Sequence, residues 1–203
     1  MARTTKKPEP RRLIVGISGA SGVPYGVRLL EVLRRTGDHE VHLVMTEAAK
    51  LNVAIETDLK VKDVEKLADV VHSVRNISAS IASGSFRTEG MIVAPCSMRT
   101  LSSIVHANSG NLLLRAADVI LKERRRLVVL PREAPLHTGH CKLMYEASLM
   151  GVIVFPPMPA FYHRPRSIDD LLDGTVGRVL DLFGIDSGLV RPWTGKSQPA
   201  EDE

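Results

Sequence analysis

Five short segments carry residues able to do chemistry. The first is Gly16-Ile17-Ser18-Gly19-Ala20-Ser21-Gly22, set between an apolar run and an amphipathic one. A glycine-rich turn from strand to helix aims backbone N–H groups and the positive end of a helix at an anion, usually a phosphate. The spacing is G-x-x-G-x-x-G rather than the dinucleotide G-x-G-x-x-G, and a plain tight turn before a helix would use it too. Glu47, after the second apolar run, is either an acidic ribose clamp or an ordinary first-turn helix acid. Pro95-Cys96-Ser97-Met98-Arg99-Thr100 forms another strand-to-helix passage. Ser97 can cap the helix, and free N–H groups there can hold a second part of the same ligand. Cys96 has no histidine near it in the chain and reads as a packed small residue, not a nucleophile.

Pro131-Arg132-Glu133-Ala134-Pro135 puts a charge pair between prolines at the end of a strand. Arg132 could grip a phosphate bidentately, and Glu133 could exchange a proton if burial raised its pKa. A surface salt bridge is the plainer account. In Pro156-Pro157-Met158-Pro159-Ala160-Phe161-Tyr162-His163, three prolines stiffen the backbone. Phe161 is expected as a core anchor, while Tyr162 has a hydroxyl to spare. Arg115 and Lys122 lie two helical turns apart and share a face. Spacing favours Asp118 pairing with both; a two-cation phosphate grip is the functional alternative.

These segments need elements to hold them. Runs at 12–18, 40–46, 90–95, 126–131 and 152–156 are short and rich in Val, Ile and Leu, as strands buried on both faces are. A weaker strand is expected at 70–74. Helical spacing occupies 23–35, 111–124, 142–150 and 167–183. Alternating strands and helices predict an α/β, Rossmann-like three-layer sandwich with a mostly parallel sheet. Such sheets bind ligands in the loops at the carboxyl ends of the strands. One domain at 12–189 is expected, with a basic tail at 1–11 and an arm at 190–203.

Composition narrows the classes. With 44% hydrophobic and 25% charged residues, the 203-residue chain can bury a core. The net charge of +4 lies in the first twelve residues, which carry five basic groups and one acid. The other basic and acidic groups are equal in number, so no nucleic-acid footprint is expected. No apolar run reaches membrane-spanning length, and the first twelve residues lack a signal-peptide core. Two cysteines make no disulfide framework, and no zinc spacing occurs. A reducing cytoplasm is the expected location.

Taken together, GISGASG (16–22), AIETD (54–58), ASGSF (82–86), MIVAPCSMRTLS (91–102), RAADVILKERR (115–125), LPREAPL (130–136), PPMPAFYHRP (156–165) and RVLDLFGI (178–185) resemble the UbiX-type flavin prenyltransferases. The pieces keep their order across about residues 12–193. The resemblance implies transfer of a dimethylallyl group from dimethylallyl monophosphate to N5 and C6 of reduced FMN, without a metal. It implies homo-oligomers, typically dodecamers, with sites between subunits. The prenylated FMN would serve a UbiD-type decarboxylase.

By the same resemblance, Gly19, Ala20 and Ser21 cradle FMN with Thr46, Ser97, Met98, Arg99, Thr100 and Arg132. Ser21, Glu56 and Glu133 handle protons and steer the allylic cation. Ser83, Arg115, Lys122, Tyr162 and Arg178 surround the prenyl phosphate, and Trp193 helps to close the site. Composition alone would read Glu56 and Arg178 as solvated helix charges. Three places depart from the family pattern: Arg99 replaces the usual Lys, the 140–144 stretch HCKLM replaces H-L-x-N-M, and Ile77 lies near a Trp of some members. Two other readings share the fold or the cofactor. A cysteine decarboxylase of the phosphopantothenoylcysteine type should show P-x-M-N-x-x-M-W, where this chain has Pro157-Met158-Pro159-Ala160-Phe161-Tyr162. A flavin carrier would bind FMN without turnover.

Overall fold

Strand-forming runs that are apolar on both sides must be covered on both sides, and that requirement sets the architecture. The computed structural model describes residues 10–190. Trp193, the arm beyond residue 190 and the first nine residues lie outside the described residues. Six strands form one parallel sheet: β1 (Arg12–Ile17), β2 (Glu40–Met45), β3 (Val70–His72), β4 (Gly90–Cys96), β5 (Arg126–Pro131) and β6 (Ile153–Val154). Their spatial order is β3-β2-β1-β4-β5-β6, so the chain steps outward from β1, then returns to β4 and steps the other way. The α-helices are α1 (Val23–Thr36), α2 (Glu47–Glu56), α3 (Val61–Glu65), α4 (Met98–Val105), α5 (Leu112–Lys122), α6 (Thr138–Leu149) and α7 (Ile168–Asp181).

Alternation along each strand divides the core in two. Leu13, Val15 and Ile17 of β1 and Ile92 and Ala94 of β4 join α1 and α7 on one face. Ile14 of β1 and Met91 and Val93 of β4 join α4 and α5 on the other. The expected three-layer sandwich is therefore present. Helix α6 begins at Thr138, earlier than apolar spacing indicated, because the His137 ring nitrogen caps it by accepting from the N–H groups of Gly139 and His140. Strand β6 is only two residues long, with Pro156-Pro157 close behind it.

Gly26 marks the closest approach of α1 to the sheet. A β-carbon there would run into the Ala94 carbonyl oxygen and the Ile17 side chain. Gly26→Ala is expected to destabilise the protein by about 1–3 kcal/mol through overpacking. The measurement is urea unfolding, which should show a lower midpoint at unchanged slope.

Candidate active site

The reversal between β1 and β4 leaves a crevice where their carboxyl ends part, the place where open α/β sheets receive ligands. Backbone bonds lace the neighbouring strand ends together. The Thr46 N–H donates to the Ile17 carbonyl at 3.0 Å, and the Arg132 N–H to the Cys96 carbonyl at 3.1 Å. Four segments thus meet at this edge: 18–22 after β1, Thr46 after β2, 97–100 after β4, and Arg132-Glu133 after β5.

Each turn is fixed locally. Gly22 takes a left-handed φ of 107°, which favours glycine, and leaves α1 without a cap from its own turn. Glu56, at the end of α2, supplies the cap. Its Oε2 accepts from the N–H of Gly22 at 2.8 Å and of Val23 at 2.9 Å. The expectation that this helix start receives a ligand phosphate is corrected here, because a carboxylate of the chain already takes those donors. Helix α2 presents a stripe to the same turn. Ala48 lies where a β-carbon on Gly19 would fall, and Asn52 Nδ2 donates to the Ala20 carbonyl at 3.0 Å. Ala48, Asn52 and Glu56 are four residues apart, hence on one face.

Two other helix starts stand at this edge. Thr46 caps α2, its hydroxyl accepting from Ala49 N at 3.1 Å. Ser97 caps α4, accepting from Thr100 N at 3.2 Å and donating to Thr100 Oγ1 at 3.0 Å. The first N–H groups of a helix have no partner within it, so both ends carry donors and partial positive charge. Gly19, Ser21, Arg132 and Glu133 are exposed, while Ala20, Thr46 and Ser97 are half-buried. The Glu133 carboxylate accepts from its neighbour Ala134 N at 3.1 Å. Met98 is buried and Arg99 exposed; both line a cavity of about 450 Å³ with His106, His137, His140 and Lys142. Cys96 is fully buried and burial pushes its thiol up to about 12, so it is no nucleophile at neutral pH, as its surroundings in the sequence implied.

The remaining candidates stand elsewhere. Lys122 ends α5 four residues before β5 begins, at the opposite edge of the sheet from the crevice. The seven residues of β4 put about 20 Å between those edges. Ser83 lies near Lys122 in the segment leading into β4. Arg125 holds that segment through the carbonyls of Gly84 and Phe86, at 2.6 and 2.8 Å. Lys122 pairs with Glu123, and the ends of both side chains lie over Gly84. Arg115 pairs with Asp118 at 2.7 Å and reaches the Ala82 carbonyl. The idea that Asp118 serves both cations is therefore corrected: Asp118 pairs with Arg115, while Lys122 takes the adjacent Glu123. Tyr162 and Arg178 line a third place, a cavity of about 170 Å³ with Phe155, Met158, His163 and Leu171. Arg178 pairs with Asp181 at 2.8 Å. Phe161 is 67% exposed, so the core-anchor expectation fails. The proline-rich segment carries it across the surface instead of under a helix. Ile77 is exposed as well.

The sequence reading missed Ser18 and Asn52, whose side chains tie the turns. Four-residue spacing in the α2 segment was the available clue to Asn52. Among the described residues, no group of three or more His, Cys, Asp or Glu is arranged to hold a metal, and no helix is long and apolar enough to cross a membrane.

A sheet reversal edged by capped helix starts and a glycine-rich turn is the frame of a nucleotide-type cofactor site, and the Flavoprotein family model matches residues 1–179. A flavin prenyltransferase UbiX of Escherichia coli K12 is 57% identical over 187 residues, covering 91% of this chain and 99% of that one. The crystal structure of a dodecameric FMN-dependent UbiX-like decarboxylase from Escherichia coli O157:H7 superposes with a TM-score of 0.89 at 50% identity, covering 91% of this chain and all of that one. That of AnUbiX in complex with FMN and dimethylallyl pyrophosphate gives 0.90 at 46%, covering 93% and 100%. The chain belongs to the UbiX flavin prenyltransferase family.

Proposed function

We propose that the protein joins a dimethylallyl group from dimethylallyl monophosphate to N5 and C6 of reduced FMN, and that a UbiD-type decarboxylase receives the product. The observation that carries this reading is the meeting of four strand-end segments at the sheet reversal, with the Glu56 carboxylate fixed on the N–H groups of Gly22 and Val23 where the glycine-rich turn enters α1. The crevice suits FMN. Gly19 and Ala20 let a flat ring approach the backbone, and the starts of α2 and α4 offer N–H donors to its polar edge and phosphate. In this assignment Gly19, Ala20, Ser21, Thr46, Ser97, Met98, Arg99, Thr100 and Arg132 hold the cofactor. Reduced FMN supplies the electron-rich nitrogen and carbon that accept the prenyl group.

The chain's residues do the rest. Arg115, Lys122 and Arg178, with Ser83 and Tyr162, take the phosphate and stabilise the charge that grows on its oxygens as the allylic C–O bond breaks. Each of these cations already pairs with an acid close to it in the chain, so the phosphate exchanges with Asp118, Glu123 or Asp181. Such exposed pairs are worth little, about 0–1 kcal/mol, and yield readily to a dianion. Ser21, Glu56 and Glu133 hold and move the protons. The allyl group leaves as a cation and the phosphate as an anion, so protons shift but no electrons need an outside source.

Lys122 stands about 20 Å of strand away from the crevice of its own chain, so a second copy must bring its Lys122 to the flavin. Exposed apolar side chains on several faces, among them Leu51, Ile55, Tyr145, Leu149 and Ile168, give such copies surface to bury. A homododecamer in the cytoplasm is the proposed form. The test is anaerobic incubation with reduced FMN and dimethylallyl monophosphate, followed by mass measurement of the flavin. A gain of one C5H8 unit with release of phosphate is expected. Bound flavin of unchanged mass would leave only a carrier.

A further inference from the structure

Ser18 is completely buried at the end of β1, one residue before the glycine turn. Its hydroxyl donates to the Pro95 carbonyl at 3.0 Å and accepts from the Ser97 N–H at 2.8 Å. Its own N–H also donates to Pro95, at 3.1 Å. A hydroxyl that gives and accepts at once across two strands has its rotor fixed. Ser97 is the cap of α4, and Gly19 follows Ser18 directly. One side chain therefore joins the 19–22 turn to the 97–100 turn across the sheet reversal. The other strand-end ties described above, from Thr46 and Arg132, run through the backbone and do not depend on a side chain.

Burial keeps Ser18 away from any ligand, in contrast to exposed Ser21 three residues on. Its influence can pass only through the groups it holds. Without the hydroxyl, the Ser97 N–H loses its acceptor, and the start of α4 can shift against the glycine turn. A misplacement of that kind costs affinity and rate even when no contact atom is lost. We infer that Ser18 is a positioning residue for the flavin, its buried hydroxyl setting the distance between the two turns that flank the ring. This rests on the flavin site proposed above.

The test compares Ser18→Ala and Ser18→Thr with wild type in the full chain. FMN titration, the visible spectrum of the bound flavin, and kcat and KM for each substrate are read. Ser18→Ala is expected to weaken FMN binding about tenfold, the size of one lost buried hydrogen bond. It should also shift the visible band and raise KM for FMN, leaving KM for dimethylallyl monophosphate unchanged. Ser18→Thr, which keeps the hydroxyl, restores the spectrum and the affinity. An alanine variant with wild-type FMN affinity and spectrum overturns the inference, as does a threonine variant that folds but rescues neither. If the alanine variant does not fold, Ser18→Cys, which keeps the size and weakens both bonds, is read by the same criteria. Wild-type protein that takes up no FMN would instead defeat the proposed function, and the first titration separates the two failures.

Discussion

Replacing Glu56 with glutamine is expected to leave FMN affinity near the wild-type level and to slow prenylation by about 10²–10⁴-fold, the range that a positioned acid or base contributes. The structure explains why these two effects separate. Glu56 accepts from the N–H groups of Gly22 and Val23, and a glutamine carbonyl can accept the same two bonds. The glycine turn keeps its shape while the negative charge and the exchangeable proton are lost. Glu56→Ala removes the cap as well, so it should weaken flavin binding and cost about 0.5–2 kcal/mol of stability, as lost caps do. Single-turnover mass measurement of the flavin, alongside an FMN titration, checks the pair. Wild-type turnover in the glutamine variant would leave Glu56 as a cap and nothing more.

Lys122→Ala should weaken dimethylallyl monophosphate about 10–100-fold, the loss expected of one charge-assisted bond, with FMN affinity unchanged. The larger test uses its place in the fold. Lys122 stands at the edge of the sheet opposite the crevice. An oligomer assembled from equal parts of Lys122→Ala and Glu56→Gln chains should regain activity beyond that of either impaired parent. Where a Lys122→Ala chain supplies the crevice and a Glu56→Gln chain supplies the lysine, the site is whole. Random mixing makes about one site in four of this kind, given a site built once per interface. Activity no greater than the sum of the parents would mean that each chain builds its site alone.

Much of this architecture was visible in the residues, for a physical reason. Strands β1, β2, β4 and β5 sit inside the sheet, so both their faces are apolar and their runs stand out. The four turns could be found because they follow those runs. Helix α6 began earlier than expected because its first turn, Thr138-Gly139-His140-Cys141, offers no apolar stripe, and a histidine makes its cap. Phe161 misled because an aromatic ring is usually buried, and only the path of a proline-rich segment determines where it points. Among the proposed site residues, Glu56 and Arg178 carry nothing in their own neighbourhood that separates them from solvated helix charges. Family resemblance selected them, and the contact with Gly22 and Val23 is what gives Glu56 a mechanical role. Ser18 had no distinguishing mark in the sequence, since a serine that bridges two strands looks like any other until the strands are adjacent.

The bond from Glu56 to the start of α1 has a bearing on how the cofactor comes and goes. The turn at the pocket's mouth is braced by a carboxylate of the chain itself and not by cargo. A turn held from within suits a catalyst whose finished cofactor departs for another enzyme and is replaced by a fresh molecule each cycle.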